Sequence, residues 1–240
     1  SDQIAEALAG IGATLSISSD WDTASVRLFT LKRHLRTALD VYTDVVENPS
    51  FPDRELERQR NIALGRLVQV RDEPTLLAGM AVAATLYGAE HPYGRPQFGT
   101  AATLKSITRD DLQAFYQSHF RPEQAALIAV GDISLDEVVR AMDKTLADWK
   151  PATAAPAAGA AAEQKFPAPP APKPSGIIVV DKPGAVQSVI SVSLVGVRRT
   201  SPDYHALVVM NTVFGGQFSS RLNMNLREDK GYTYGARSLF

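Results

Sequence analysis

Apolar and polar positions alternate over residues 13–19 and 23–31, the pattern of two half-buried strands. A short helix over 2–10 precedes them. Beyond them the period lengthens: Leu35, Ala38, Leu39, Tyr42, Val45 and Val46 recur at helical spacing, and Asn48-Pro49 stops the run. A long helix is predicted from Pro52-Asp53 to about Asp72 and another over 74–87. The Gly/Pro-rich loop HPYGRPQFGT follows. Thr108 and Asp111 have the spacing of a capping box opening a helix over 109–120. ALIAVGD (126–132) reads as a buried strand, and Ser134 opens a helix ending near Trp149.

Residues 151–175 break this order. PATAAPAAGAAAEQKFPAPPAPKPS is mostly Ala and Pro and holds almost no large apolar side chain. Proline lacks an amide donor and fixes φ, so such a run reads as an extended linker. After it come strands at 177–180 and at Ile190, Val192 and Leu194, which alternate with Ser191 and Ser193. Ala206, Val209, Met210, Val213 and Phe214 mark one helix face, Gly215-Gly216 interrupts it, 219–229 reads as a further helix, and 233–240 as a strand. Strands returning between helices out of strict alternation predict an α+β fold: a mainly antiparallel sheet covered by helices, not a doubly wound one. The expected organisation is a first half over 1–150, a linker over 151–175 and the start of a second half over 176–240. The second half reads as truncated, because so few strands do not sustain an independent sheet.

Composition narrows the chemistry. The 240 residues carry 25 Lys+Arg against 26 Asp+Glu, a balance that gives no footprint for nucleic acid or an anionic membrane. Cysteine is absent, which excludes disulfides, thiolate metal sites and a cysteine nucleophile. No apolar run has the length of a membrane span. The four histidines, His34, His91, His119 and His205, lie too far apart for the i, i+4 pair that would turn two imidazoles to one metal on a helix. Gly-x-Ser-x-Gly and a Gly-rich phosphate loop are both missing. Glu47, Asp53, Glu55 and Glu57 read as a solvated helix face rather than an acid/base pair.

The end of the chain holds one more arrangement. Arg227 falls late on a helix, and Tyr234 follows seven residues on, across Gly231, at the start of a strand. A guanidinium and a phenol arriving from neighbouring elements can both donate to one carbonyl oxygen. From spacing alone, a helix-end Arg and an ordinary strand Tyr remain the simpler description.

FGGQFSSRLNMNLREDKGYTYGA resembles the segment of pitrilysin-like (insulinase-type, inverzincin) zinc peptidases that reads roughly LGG-x-x-SSRL…LRE-x-x-G-x-x-Y. The run from Ile11 to Leu64, the HPYGRPQFGT loop, FYQSHFRPEQAALIAVGDI and the Pro-rich joint resemble the same family, so the likeness covers essentially the whole chain. It implies two homologous α+β halves, with Arg227 and Tyr234 binding the substrate backbone. The family's HxxEH would precede Ser1. Its distal zinc ligand and a nearby supporting Glu, seven residues apart, fall here on Arg66 and Gln59, so the resemblance implies no metal or catalytic residue in this chain. The implied role is that of a non-catalytic, substrate-binding subunit of a bacterial heterodimeric member, with zinc and the general base on a homologous partner. Two alternatives stay open: a fragment of a single-chain active zinc peptidase, or an assembly subunit like the core proteins of a respiratory complex. Bacterial pairs of this kind are often exported, which together with the Ala/Pro-rich linker implies a periplasmic setting.

Overall fold

The computed structural model describes residues 2–149 and 176–240; the Ala/Pro-rich linker expected at 151–175 lies outside the described residues. The chain divides into two compact units, Ser1–Ser191 and Val192–Phe240. Helices carry most of the regular structure and an antiparallel two-stranded sheet the rest, an α+β architecture.

In the first unit, α1 (Asp2–Ala9) leads into strands β1 (Thr14–Ser19) and β2 (Ala24–Phe29), paired in the register Thr14↔Phe29 to Ser19↔Ala24. The turn between them is held by the Asp20 carboxylate. It accepts from the amides of Asp22 (2.8 Å) and Thr23 (2.7 Å), which keep its carboxyl below the usual range. Helix α2 (Leu35–Glu47) buries Ala38, Leu39 and Val46 and packs on β2. Leu8, Ala13 and Ala38 form the core, with Ile4, Ile11, Leu15, Leu28 and Val41 packed around them. A two-stranded ribbon is marginal in water by itself, and α1 and α2 supply the apolar cover it needs.

Helix α3 (Asp53–Val70) starts after Pro52, with Asp53 and Glu55 in its first turn, where carboxylates complement the helix dipole. Its side chain Arg60, only 12 % exposed, donates through Nη1 to the carbonyl of Leu104 and through Nη2 to that of Ile107 (2.6 Å). These bonds tie α3 to the end of α5 (Ala101–Ser106), a short helix that the sequence pattern does not announce. Arg60→Ala leaves two carbonyls without their charged donor. It is expected to cost about 2–3 kcal/mol, read as a lower urea midpoint.

Helix α4 (Pro74–Tyr87) precedes the HPYG turn. Helices α6 (Arg109–His119) and α7 (Leu135–Thr145) open on the expected caps: Thr108 with Asp111, and Ser134 with Glu137, each form a reciprocal capping box. Between them the expected strand at 126–132 departs from expectation. It makes no ladder, and Ile128 and Val130 are exposed. The stretches 177–180 and 190–195 behave alike. The reason is common to all: a strand's amides and carbonyls need a neighbouring strand, and among the described residues only β1 and β2 offer one another that edge. No helix of the described residues is long and apolar enough to cross a membrane.

The second unit is small. Helix α8 (Tyr204–Asn211) continues as a π-helical turn, Thr212–Gly216, and α9 (Arg221–Asn223) continues as another, Met224–Asp229. The closing stretch 233–240, expected as a strand, likewise has no ladder, but side chains strap it to both helices.

Candidate substrate-binding site

Two asparagines, Asn223 buried and Asn211 half-buried, build the second unit. Asn223, 4 % exposed, donates from Nδ2 to the Phe218 carbonyl (2.8 Å) and accepts at Oδ1 from the Ala236 amide (3.0 Å). Asn211 donates to the Ser238 carbonyl (3.2 Å) and accepts from the Ser238 hydroxyl (2.6 Å). The Ser238 amide in turn donates to the carbonyl of Gly215 (3.0 Å). At Gly215 a Cβ would lie 2.2 Å from Ser238 Oγ and 2.6 Å from Ser238 N, so the backbone must be bare there. None of these partners is signalled by helical or strand periodicity. The one available cue was a pair of polar side chains inside helical stretches.

Arg227 sits in the π-helical turn after α9. Its guanidinium carbon lies 4.7 Å from the centroid of the Phe218 ring, and its Nε lies 3.4 Å from Glu228 Oε1. Its Nη1 and Nη2 make no hydrogen bond among the described residues. The chain then turns through Gly231 (φ 63°), with Gly231 N on the Arg227 carbonyl (3.1 Å) and Tyr232 N on that of Leu226 (2.9 Å). Tyr234 comes next and is 84 % exposed. Arg227 and Tyr234 therefore share one small unit, and no hydrogen bond or cation–π contact joins them. The unit can offer a charged planar donor and a neutral hydroxyl to a peptide carbonyl.

The first unit holds the other two candidate positions. Gln59 and Arg66 are both exposed on α3, two turns apart, roughly 10 Å along its axis. The Arg66 guanidinium carbon lies 4.0 Å from the centroid of Phe98, in the HPYGRPQFGT loop. An amide and a guanidinium do not fit a zinc ion: arginine has no lone pair to donate and brings a positive charge. The histidines are scattered among separate contacts. His91 is buried between Tyr87 and Tyr93 and accepts at Nδ1 from the Tyr93 amide, His119 stacks on Phe115, His34 meets Arg33, and His205 meets Tyr204. Among the described residues no group of three or more His, Cys, Asp or Glu could hold a metal. Tyr93 donates its hydroxyl to Asp22 (2.7 Å), and chiefly for that reason its pKa is pushed up to about 12.

Of the candidate carboxylates, Glu47 lines a cavity of about 340 Å³ beside Tyr116, Phe120, Asp148 and Trp149. Burial raises its pKa above the ordinary 4.5, and the negative charges of Asp148 and Asp44 add to the rise. A raised folded-state pKa contributes stability below the unfolded value, and that contribution is lost as pH rises through the folded value. Glu47→Gln, which cannot titrate, is therefore expected to gain stability relative to the parent between pH 4 and pH 7, as followed by thermal melts.

Residues 1–101 match the sequence model of insulinase (peptidase family M16), and residues 106–240 match that of the peptidase M16 inactive domain. Similar relatives include an uncharacterized zinc protease of Bacillus subtilis, 26% identical over 98% of this chain and 54% of its own length. Another is an uncharacterized zinc protease of Mycobacterium tuberculosis, 28% identical over 98% of this chain and 52% of its own length. The chain spans about half the length of these relatives. Among solved structures it is similar to a peptidase M16 inactive domain from Pseudomonas fluorescens, with TM-score 0.79 and 27% identity over 99% of this chain and 56% of that one. It also shares the fold of a Helicobacter pylori protease, with TM-score 0.75 and 19% identity over 99% of this chain and 56% of that one. With its two stretches matching two models of one family, the second alone covering more than half of its residues, the chain belongs to peptidase family M16, the insulinase or pitrilysin-type metallopeptidases.

Proposed function

We propose that this chain is part of a non-catalytic subunit that grips peptide substrates for a zinc-bearing homologue. The observation that carries the reading is Arg66: where the family's pattern calls for a zinc-ligating carboxylate, α3 presents a guanidinium laid over Phe98. Arg227 and Tyr234, in contrast, keep the residue types that bind a substrate backbone, the first half-buried and the second exposed. In this reading the first half (1–150) and the second (from 176) are homologous and joined by the 151–175 linker. The partner supplies zinc and the general base, the assembly is a heterodimer, and its setting is periplasmic. Arg227 and Tyr234 donate to the carbonyl next to the scissile bond, holding the backbone and opposing the charge that develops on its oxygen.

The experiment is equilibrium binding of a fluorescent, protease-resistant peptide to the full-length protein, with and without a metal chelator. Affinity unchanged by the chelator is expected. Affinity that collapses with the chelator means that a metal of this protein's own holds the peptide. The description of the relatives as zinc proteases favours a second reading, a stretch of a complete single-chain zinc peptidase, which stoichiometric zinc in the full-length protein would support.

A further inference from the structure

A partly exposed arginine side chain samples many rotamers, and each must be given up to hold a carbonyl. The second unit contains a device that reduces this loss. Phe218 lies nine residues before Arg227 and presents its ring to the guanidinium at 4.7 Å. The ring is otherwise 63 % exposed, so it fills no core. Its main chain is fixed, because the buried Nδ2 of Asn223 holds the Phe218 carbonyl. The other end of the same amide holds Ala236, two residues beyond Tyr234. One side chain thus sets both the platform under Arg227 and the stretch carrying Tyr234. The ring holds the centre of the guanidinium, while its Nη1 and Nη2 make no hydrogen bond among the described residues, so the held group stays free to bind.

Resting on the grip reading above, we propose that Phe218 is the positioning residue for Arg227: its ring, anchored through Asn223, preorients the guanidinium toward the peptide carbonyl. Two consequences separate this from a merely structural role. The requirement is for an aromatic face, so Phe218→Leu should weaken binding while Phe218→Trp should not. The effect must also pass through Arg227.

The test measures binding of the fluorescent peptide to the full-length protein in a double-mutant cycle of Phe218→Leu and Arg227→Ala, with thermal melts alongside. Phe218→Leu alone is expected to weaken binding roughly threefold to fivefold, the worth of an exposed cation–π contact, at an unchanged melting temperature. In the Arg227→Ala background the same change is expected to cost nothing further. Nitrogen-proton NMR adds a readout independent of binding: the Arg227 Nε proton should lose a ring-current shift in Phe218→Leu and keep it in Phe218→Trp. An undiminished loss in the Arg227→Ala background, or a leucine variant that binds like the parent, overturns the proposal and leaves the grip intact. If Arg227→Ala itself binds like the parent, the grip reading falls and this proposal falls with it.

Discussion

Replacing Arg227 by alanine is expected to weaken peptide binding by the full-length protein roughly 10- to 100-fold, without lowering its melting temperature. A hydrogen bond from a charged donor to a peptide carbonyl contributes about 1.5–3 kcal/mol, which converts to that range. The fold does not depend on the side chain. Arg227 is 38 % exposed, and its protein contacts are the Phe218 face and the neighbouring Glu228. Arg227→Lys is expected to recover little, because an ammonium offers no planar pair of donors along one edge. Tyr234→Phe removes a neutral donor and should cost less, roughly 2- to 10-fold. Fluorescence anisotropy with one peptide ranks the three variants.

Gly215→Ala is expected to be as damaging to binding as Arg227→Ala, by a different route. The added methyl would sit 2.6 Å from the amide nitrogen of Ser238, a backbone atom that cannot rotate away. Relief requires the 233–240 stretch to move off the π-helical turn. That motion breaks the Ser238 N to Gly215 carbonyl bond and strains both bonds between Asn211 and Ser238. Overpacking and the orphaned polar groups together cost about 2–4 kcal/mol, seen as a lower thermal midpoint, and Tyr234 is displaced with the 233–240 stretch. Gly216→Ala is the control. There the nearest atom is the Asn211 carbonyl oxygen at 3.2 Å, and a milder loss is expected. Equal midpoints for Gly215→Ala and the parent would contradict the close approach.

How much of this was legible in the sequence follows from the range of the interactions. The helices α2, α3, α4, α6 and α7 stand where periodicity and caps put them, because Thr108 with Asp111 or Ser134 with Glu137 is a contact three residues long. Helix α5 escaped because it is six residues long and its cap pairs Thr100 with Thr103, where the usual sign is Glu or Gln. The apolar run at 126–132 and the alternation at 190–194 were visible, but whether such a stretch joins a ladder depends on a partner far away in sequence. At the site, the types and spacing of Arg227 and Tyr234 could be read directly, although only the family resemblance gave them a role. The Phe218 platform and the Asn223 strap could not, since contacts nine and thirteen residues apart fit neither a helical nor a strand period. Arg66 was legible as a residue unable to bind zinc; its place over Phe98 was not.

The experiment that decides between these readings measures zinc content and peptide hydrolysis of the full-length protein, alone and mixed with the proposed zinc-bearing homologue. The expected result is a metal-free protein that is inactive alone, is required for hydrolysis in the mixture, and loses that effect with Arg227→Ala. Stoichiometric zinc together with hydrolysis by the lone protein would contradict it, and would place this chain in a complete peptidase whose zinc ligand is not at position 66.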